Sequence, residues 1–469
     1  MAAIILESQL QESLKKAINR ANATNSSILF SKVIKTQQIN PLSFYQIGRE
    51  HYAGERLYWK DSDDQTIIVG LGRIEKIQTD IVAERFGSIE KQWKEIVDCS
   101  IVHADTIESA TGPIMFGGFS FDSNKSSSLL WDHFGDNFFY VPQYILTVQN
   151  NCTYLTTNIW CSPNSDIATC MKKLQHAEVL MNQSKEKHLH NVNVCKSIQE
   201  IEPDIWKKTV ADAVSTIKET AINKIVLARE LRLTFEHNIE SEVVLQRLLE
   251  EQPTSFIYSL EVGSNCFVGA SPERLVKKEK NHILSTCLAG SIARGKTKEE
   301  DDLLGKQLLH DPKNLMEHQF VVSMIREALQ TECNAVSVPN TPNLMKIKHI
   351  QHLYTPVTAE CDEQLSILRL VEKLHPTPAL GGLPQKEAVK WIAEHESLER
   401  GFYAAPIGWI DVYGNGEFAV GIRCALLQGK EASLFAGCGI VKDSTPEAEY
   451  EETWIKFQPM LNALGGIVS

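Results

Sequence analysis

No run of apolar residues in this sequence approaches the roughly 18–20 that a bilayer span needs. The N-terminus, MAAIILESQLQESLKKAINRAN, lacks the basic n-region and the uninterrupted apolar stretch of a secretory signal. A cytoplasmic chain is therefore expected. The eleven cysteines contain no C-x-x-C and are odd in number, which argues against a disulfide framework or a zinc site; they read as reduced thiols, mostly small core residues. Positive charge is also short: 47 Lys and Arg against 59 Asp and Glu leave a net charge of −12. Nucleic acid and anionic membrane surfaces are thus not expected partners, since both need a basic field. If such an acidic chain binds an anionic small molecule, it must gather a few cations, backbone N–H groups or a metal ion in one place. No internal repeat and no low-complexity tract is visible.

What is present can build a sizeable core. At 469 residues with 43% hydrophobic and 8% aromatic content, the length prior allows two or three domains. Residues 5 to about 22 read as an amphipathic helix, followed by the strand-like runs RLYWKD, TIIVGLG, MFGGFSFD, FFYVPQYILTVQ and CTYLTTNIW. The polar stretch 182–197 has few core candidates and reads as a linker, so residues 1–200 are expected to form a β-rich region with a leading helix and 201–469 a second region. In the second region, PDIWKKTVADAVSTIKETAIN repeats its apolar residues, Ile205 and Trp206 among them, at helical spacing. A helical zone spans 299–332. PIGWIDVYGNGEFAVGIRCALLQGKEASLFAGCGIV reads as a three-strand meander, and a last helix starts at Pro446 behind Thr445 as N-cap. Strands and helices mix without βαβ alternation, so the expected class is α+β with large antiparallel β-sheets packed with helices.

Several residues stand where chemistry is possible. In AINKIVLARE, alternation puts Ile225 and Leu227 on one strand face and Lys224 with Val226 and Ala228 on the other. A lysine there snorkels, pairs with a carboxylate, or serves as a base. On a regular strand Arg423 shares a face with Ala419, Gly421 and Ala425, which leaves room for a ligand, although a solvated sheet face reads the same way. Glu317 lies in a stretch whose Leu315, Met316, Phe320, Val321, Met324 and Ile325 should be buried. Glu449, Glu452 and Lys456 share a helix face. Carboxylates supplied by two helices suit Mg²⁺, while glutamates near a helix N-terminus also serve capping and dipole alone. Gly437 and Gly439, near a strand end, would let backbone N–H groups approach an anion. Glu273 follows Pro272 on a turn, as a general acid or an exposed glutamate. His375 sits in a Pro/Gly loop, as a ligand contact or a satisfied buried histidine.

Nine motifs in order, KIVLAR, GASPE, LAGSIARG, PKNLMEH, HPTPALGG, RGFYAAPIGW, AVGIRCA, AGCGIV and DSTPEAEYEET, resemble those of the chorismate-utilising enzymes: isochorismate, salicylate, anthranilate and aminodeoxychorismate synthases. The resemblance covers about residues 205–465 and makes 201–469 the chorismate-binding catalytic region. It implies that Lys224 is the base that activates water for attack at C2 of chorismate, and Glu273 the acid that protonates the departing C4 hydroxyl. It further implies that Glu317 and Glu452 hold Mg²⁺ with Glu449 nearby, that Arg423, Tyr403, Lys456, Gly437 and Gly439 clamp the substrate carboxylates, and that Gly290, Ser291, His375 and Ala379 line the pocket.

Anthranilate and aminodeoxychorismate synthases, which add ammonia, lack a lysine at the position of Lys224. Water is therefore the implied nucleophile, and no glutamine amidotransferase subunit is expected. Salicylate synthases often carry threonine where this loop has Ala379, so the reaction is expected to stop at isochorismate, with a salicylate-forming lyase as the alternative. Ser291 replaces a threonine of many relatives, and Asn314 replaces an acidic residue. The N-terminal third resembles that of menaquinone-pathway isochorismate synthases more than the shorter siderophore-pathway ones. A monomer or weak homodimer is expected.

Overall fold

The computed structural model describes residues 2–123, 129–183, 194–347 and 350–466. Among these, 12 helices and 21 strands form, and the strands join into one hydrogen-bonded network. Its pairings are antiparallel except that of Ile28–Thr36 with Ser100–Ala104. The α+β class therefore holds. No helix among the described residues is long and apolar enough to cross a membrane. The expected linker falls largely on residues 184–193, which lie outside the described set; its last residues belong to the strand Cys195–Glu200.

The five N-terminal strand runs all form, as Arg56–Lys60, Thr66–Ile77, Ile114–Phe119, Asn137–Gln149 and Cys152–Cys161. They do not close into a sheet of their own. Arg56–Lys60 pairs with Phe256–Val262, and Ile114–Phe119 pairs with Pro406–Asp411. The division at residue 200 consequently does not separate two sheets, because edge strands on either side of it complete one another's hydrogen bonding.

The strand that positions the site is Lys224–Phe235, paired antiparallel with Glu431–Ile440. Ile225, Leu227, Leu231, Leu233 and Phe235 are all essentially inaccessible and belong to two adjoining hydrophobic cores. Burying each contributes about 1.5–3 kcal/mol. A slip of one residue would turn this row outward and bring Glu230 and Arg232 in, so the register that presents Lys224 and Val226 is strongly fixed.

Three expectations need correction. The helical zone 299–332 breaks at Asp311 into Lys298–His310 and Pro312–Gln330, because Asp311 caps the second helix by accepting the N–H of Asn314 at 2.7 Å. On that helix Met316 and Phe320 are exposed, while His318, Val321, Val322, Ile325 and Leu329 form the buried stripe; only one face packs on the sheet. Ile205, on the helix Pro203–Glu219, is likewise half-exposed. The meander has four strands rather than three: Pro406–Asp411, Gly416–Val420, Cys424–Gln428 and Glu431–Ile440. The second and third do not pair with each other, since Gly416–Val420 lies on Arg274–Glu279 and Cys424–Gln428 on Asn265–Ser271.

Candidate active site

A cavity of about 600 Å³ opens where these strands meet the helices Pro312–Gln330 and Pro446–Ala463, within the size range of small-molecule sites. Lys224, at the first position of its strand, projects into it because the facing strand offers glycine: a Cβ on Gly439 would lie 2.4 Å from the Lys224 Cε. Gly437 likewise leaves room for the Tyr403 hydroxyl, 2.9 Å from where its Cβ would be. Both glycines are paired within the ladder, opposite Ala228 and Val226. Space for neighbouring side chains is what they visibly provide.

The Lys224 ammonium donates to Glu317 Oε1 at 2.5 Å. Burial pushes the Glu317 pKa up, but the ammonium groups of Lys224, then Lys456 and Lys313, outweigh it and hold the carboxylate below its ordinary value. Glu273 is not an exposed turn residue. It is buried behind Pro272, its N–H donating to Ser271 Oγ at 3.2 Å and its carbonyl accepting from Val420 N–H at 3.1 Å. Burial lifts its pKa to about 7, against the charges of Arg423 and Lys224. A carboxyl group near half protonation at neutral pH is a competent proton donor.

Arg423 reaches the cavity by a route that strand parity does not give. The strand ends at Val420, the Ile422 N–H donates to the Val420 carbonyl at 2.8 Å, and Arg423 takes a left-handed conformation, φ 51°. Both Ile422 and Arg423 therefore line the cavity. Burial lowers the Arg423 pKa, opposed by Tyr403, Glu452 and Glu273, and the guanidinium stays charged. Tyr403, raised in pKa by burial, stacks on Phe435.

On the helix Pro446–Ala463, Thr445 accepts the Ala448 N–H with Pro446 in the first turn, as the sequence predicts. Glu449, Glu452 and Lys456 line the cavity from this helix. Lys456 Nζ donates to Glu452 Oε1 at 2.6 Å and to the Gly437 carbonyl at 2.9 Å. Gly290, φ 79°, sits in a register shift between Leu288 and Ser291, and the Ser291 N–H donates to Asn314 Oδ1 at 3.2 Å. Asn314 thus braces the backbone bulge.

Ala379 and Leu380 line the cavity, but His375 does not. It is buried behind the loop, Nε2 3.1 Å from the Phe121 carbonyl and its ring edge-on to Phe121. Burial pushes its pKa down to about 3. The residue that the sequence reading missed is His352, directly opposite Ser291. Its Nε2 is buried without a hydrogen-bond partner among the described groups, and burial, then Arg423 and Lys456, push its pKa to about 3. It is a neutral group facing the cavity. The only signal for it was a histidine within the strand-like run IQHLYTPV. Lys313 was also missed.

Among the described residues no three His, Cys, Asp or Glu side chains stand close enough to form a ready metal cage. Glu317, Glu449 and Glu452 nevertheless offer oxygen donors from two helices to one cavity. That donor set fits a hard divalent cation completing its shell with water and substrate.

A family model described as chorismate binding enzyme matches residues 14–465. The isochorismate synthase MenF of Bacillus subtilis is 44% identical over 456 residues, 96% of each chain. The salicylate biosynthesis isochorismate synthase of Pseudomonas aeruginosa is 32% identical, over 98% of this chain and 95% of that one. Among solved structures, MenF, the menaquinone-specific isochorismate synthase from Escherichia coli, superposes with a TM-score of 0.77 at 22% identity, covering 96% of this chain and all of that one.

Proposed function

This chain belongs to the chorismate-binding enzymes, and on that premise we propose that it is an isochorismate synthase, an isomerase that moves the hydroxyl of chorismate from C4 to C2. One observation carries the reading: Lys224 and a Glu273 lifted to about pKa 7 line the same cavity. A base at one point and a neutral acid at another are what addition of water at C2 with loss of the C4 hydroxyl requires. Once Lys224 has given up its ammonium proton, which it shares with Glu317, the neutral amine takes the proton of the attacking water, and Glu273 gives one to the departing hydroxyl. Each is left in the state that the reverse reaction needs, so the conversion is reversible.

The substrate is a dianion in a protein of net charge −12. Lys313, Arg423 and Lys456 answer it locally, facing Glu317, Glu449 and Glu452. In this reading Glu317 and Glu452, with Glu449 nearby, would hold Mg²⁺, which supplies positive charge for the ring carboxylate. Arg423 and Tyr403 orient the other end of the substrate, and Gly290, Ser291 and Ala379 shape the wall. Water as nucleophile removes the need for an amidotransferase subunit. The reading places the enzyme in menaquinone biosynthesis and in the cytoplasm, where eleven unpaired thiols stay reduced.

The test is product identification after incubation with chorismate and Mg²⁺. Isochorismate is expected; salicylate with pyruvate would make the chain a lyase instead, and no conversion would remove the proposal.

A further inference from the structure

The strand carrying Lys224 has a gap along one edge. On one side it pairs with Glu431–Ile440 throughout. On the other, Gly382–Leu383 covers only Lys224 and Ile225, and Cys195–Glu200 covers only Leu231–Phe235. Between them no strand among the described residues lies alongside, yet Val226 and Ala228 are buried, and buried backbone groups need partners. The Gly381 carbonyl accepts the Val226 N–H at 3.2 Å, and an ion pair supplies two further partners. Glu396 Oε2 accepts the Ala228 N–H at 2.8 Å, and Arg400 Nη2 donates to the Val226 carbonyl at 2.7 Å.

Glu396 and Arg400 bind each other in two parallel contacts, Nε to Oε1 at 2.6 Å and Nη2 to Oε2 at 2.8 Å, with each side chain only 3% exposed. Arg400 Nη1 then donates to the Leu380 carbonyl at 3.1 Å. Leu380 and the adjacent Ala379 line the cavity, as Val226 does; Glu396 and Arg400 do not. The pair therefore holds two walls of the site at a fixed separation from behind. An apolar filling of equal volume could pack there but would leave the Ala228 N–H and the Val226 and Leu380 carbonyls unpaired. Lysine, with no planar fork, could not serve the carboxylate and both carbonyls together.

We infer that Glu396 and Arg400 are a positioning pair for the reaction: standing in for a missing strand, they lock the Lys224 strand to the Ala379–Leu380 loop and so fix where the base meets the ring. This rests on the reading of Lys224 as the base. Neither side chain touches substrate, so the cost of loosening them falls on the chemical step more than on binding.

The test is steady-state kinetics with chorismate and saturating Mg²⁺ on the full chain, with chemical denaturation of the same samples to give the folded fraction. Arg400→Lys is the first variant. The second, Glu396→Leu with Arg400→Met, removes both charges so that no buried ion is left alone. For folded protein, kcat is expected to fall by about tenfold to a hundredfold, as displacement on the order of 1 Å can produce, while KM stays within about threefold. Unchanged kcat per folded molecule in both variants would overturn the inference. Wild type serves as the control for the reading beneath it. If wild type makes no isochorismate, the base assignment itself falls; if wild type does and the variants match it, only the positioning role falls.

Discussion

Gly439 and Glu273 show how little covalent change would disturb the chemistry. A methyl group at Gly439 would occupy the space of the Lys224 side chain, so Gly439→Ala should displace the base while leaving the fold intact. We expect kcat to drop by at least about tenfold with a small change in thermal stability; wild-type kinetics in this variant would show that Lys224 need not lie where it does. Glu273 gives two pH signatures. Only its protonated form donates, and with a pKa of about 7 the competent fraction falls about tenfold per unit at higher pH, so kcat/KM should descend on the alkaline side from about neutrality. An alkaline limb flat to about pH 9 would exclude it as the acid. The stability effect has the same origin. Below the ordinary value of 4.5 Glu273 is protonated whether folded or unfolded. As pH rises toward 7 the unfolded chain loses the proton that the folded chain keeps, and stability falls by roughly 3 kcal/mol. Glu273→Gln should therefore be inactive, more stable than wild type at pH 8, and about equal to it near pH 4.5, as denaturant titrations at the two pH values will report.

At the scale of elements, the carboxylate helix Pro446–Ala463 packs on the strand Glu431–Ile440 and meets the base strand through Arg229, whose guanidinium lies 4.1 Å from the Tyr450 ring centroid and 5.5 and 5.4 Å from those of Trp454 and Phe457. Its Nη2 donates to Glu200 at 3.1 Å. Arg229→Lys keeps the charge but loses the planar face, and should cost about 1–2 kcal/mol. It should also raise the Mg²⁺ concentration for half-maximal activity, because Glu449 and Glu452 ride on that helix. An unchanged Mg²⁺ titration would separate the docking from metal binding. These elements also mark what the sequence could and could not convey. Period-two alternation correctly brought Lys224 and Val226 to one face, since that strand is regular. It failed at Arg423, because nothing in the letters marks an arginine with positive φ, and at Met316 and Phe320, because an apolar residue does not say whether its side of a helix has anything to pack on. His375 was recognisable as important to its loop but not as facing Phe121, more than 250 positions away. The Glu396–Arg400 pair was invisible for the same reason: its partners are distant backbone groups, which carry no side-chain signature.

At the scale of the whole molecule, the N-terminal third is part of the sheet that holds the site rather than an appended unit. Arg56 donates to Glu242 at 2.5 Å and to Glu261 at 2.6 Å, all three buried, so removing residues 1–200 would strand two buried carboxylates as well as three strand edges. A chain of residues 201–469 alone is expected not to fold cooperatively, as circular dichroism and thermal melting will test; a cooperative transition with isochorismate-forming activity would restore the two-unit division. The ordered motifs conveyed which residues line the cavity, because Lys224, Glu273, Glu317, Arg423 and Glu452 lie within them, whereas pairing across residue 200 depends on long-range register that local sequence does not encode. Whether Lys224 activates water for attack at C2 while Glu273 releases the C4 hydroxyl is decided by running the reaction in oxygen-18 water with Mg²⁺. One oxygen-18 in each isochorismate, at C2, is expected, with label also entering recovered chorismate at C4 through the reverse reaction. Isochorismate that carries no label would mean the hydroxyl migrates without solvent water, and would contradict both roles.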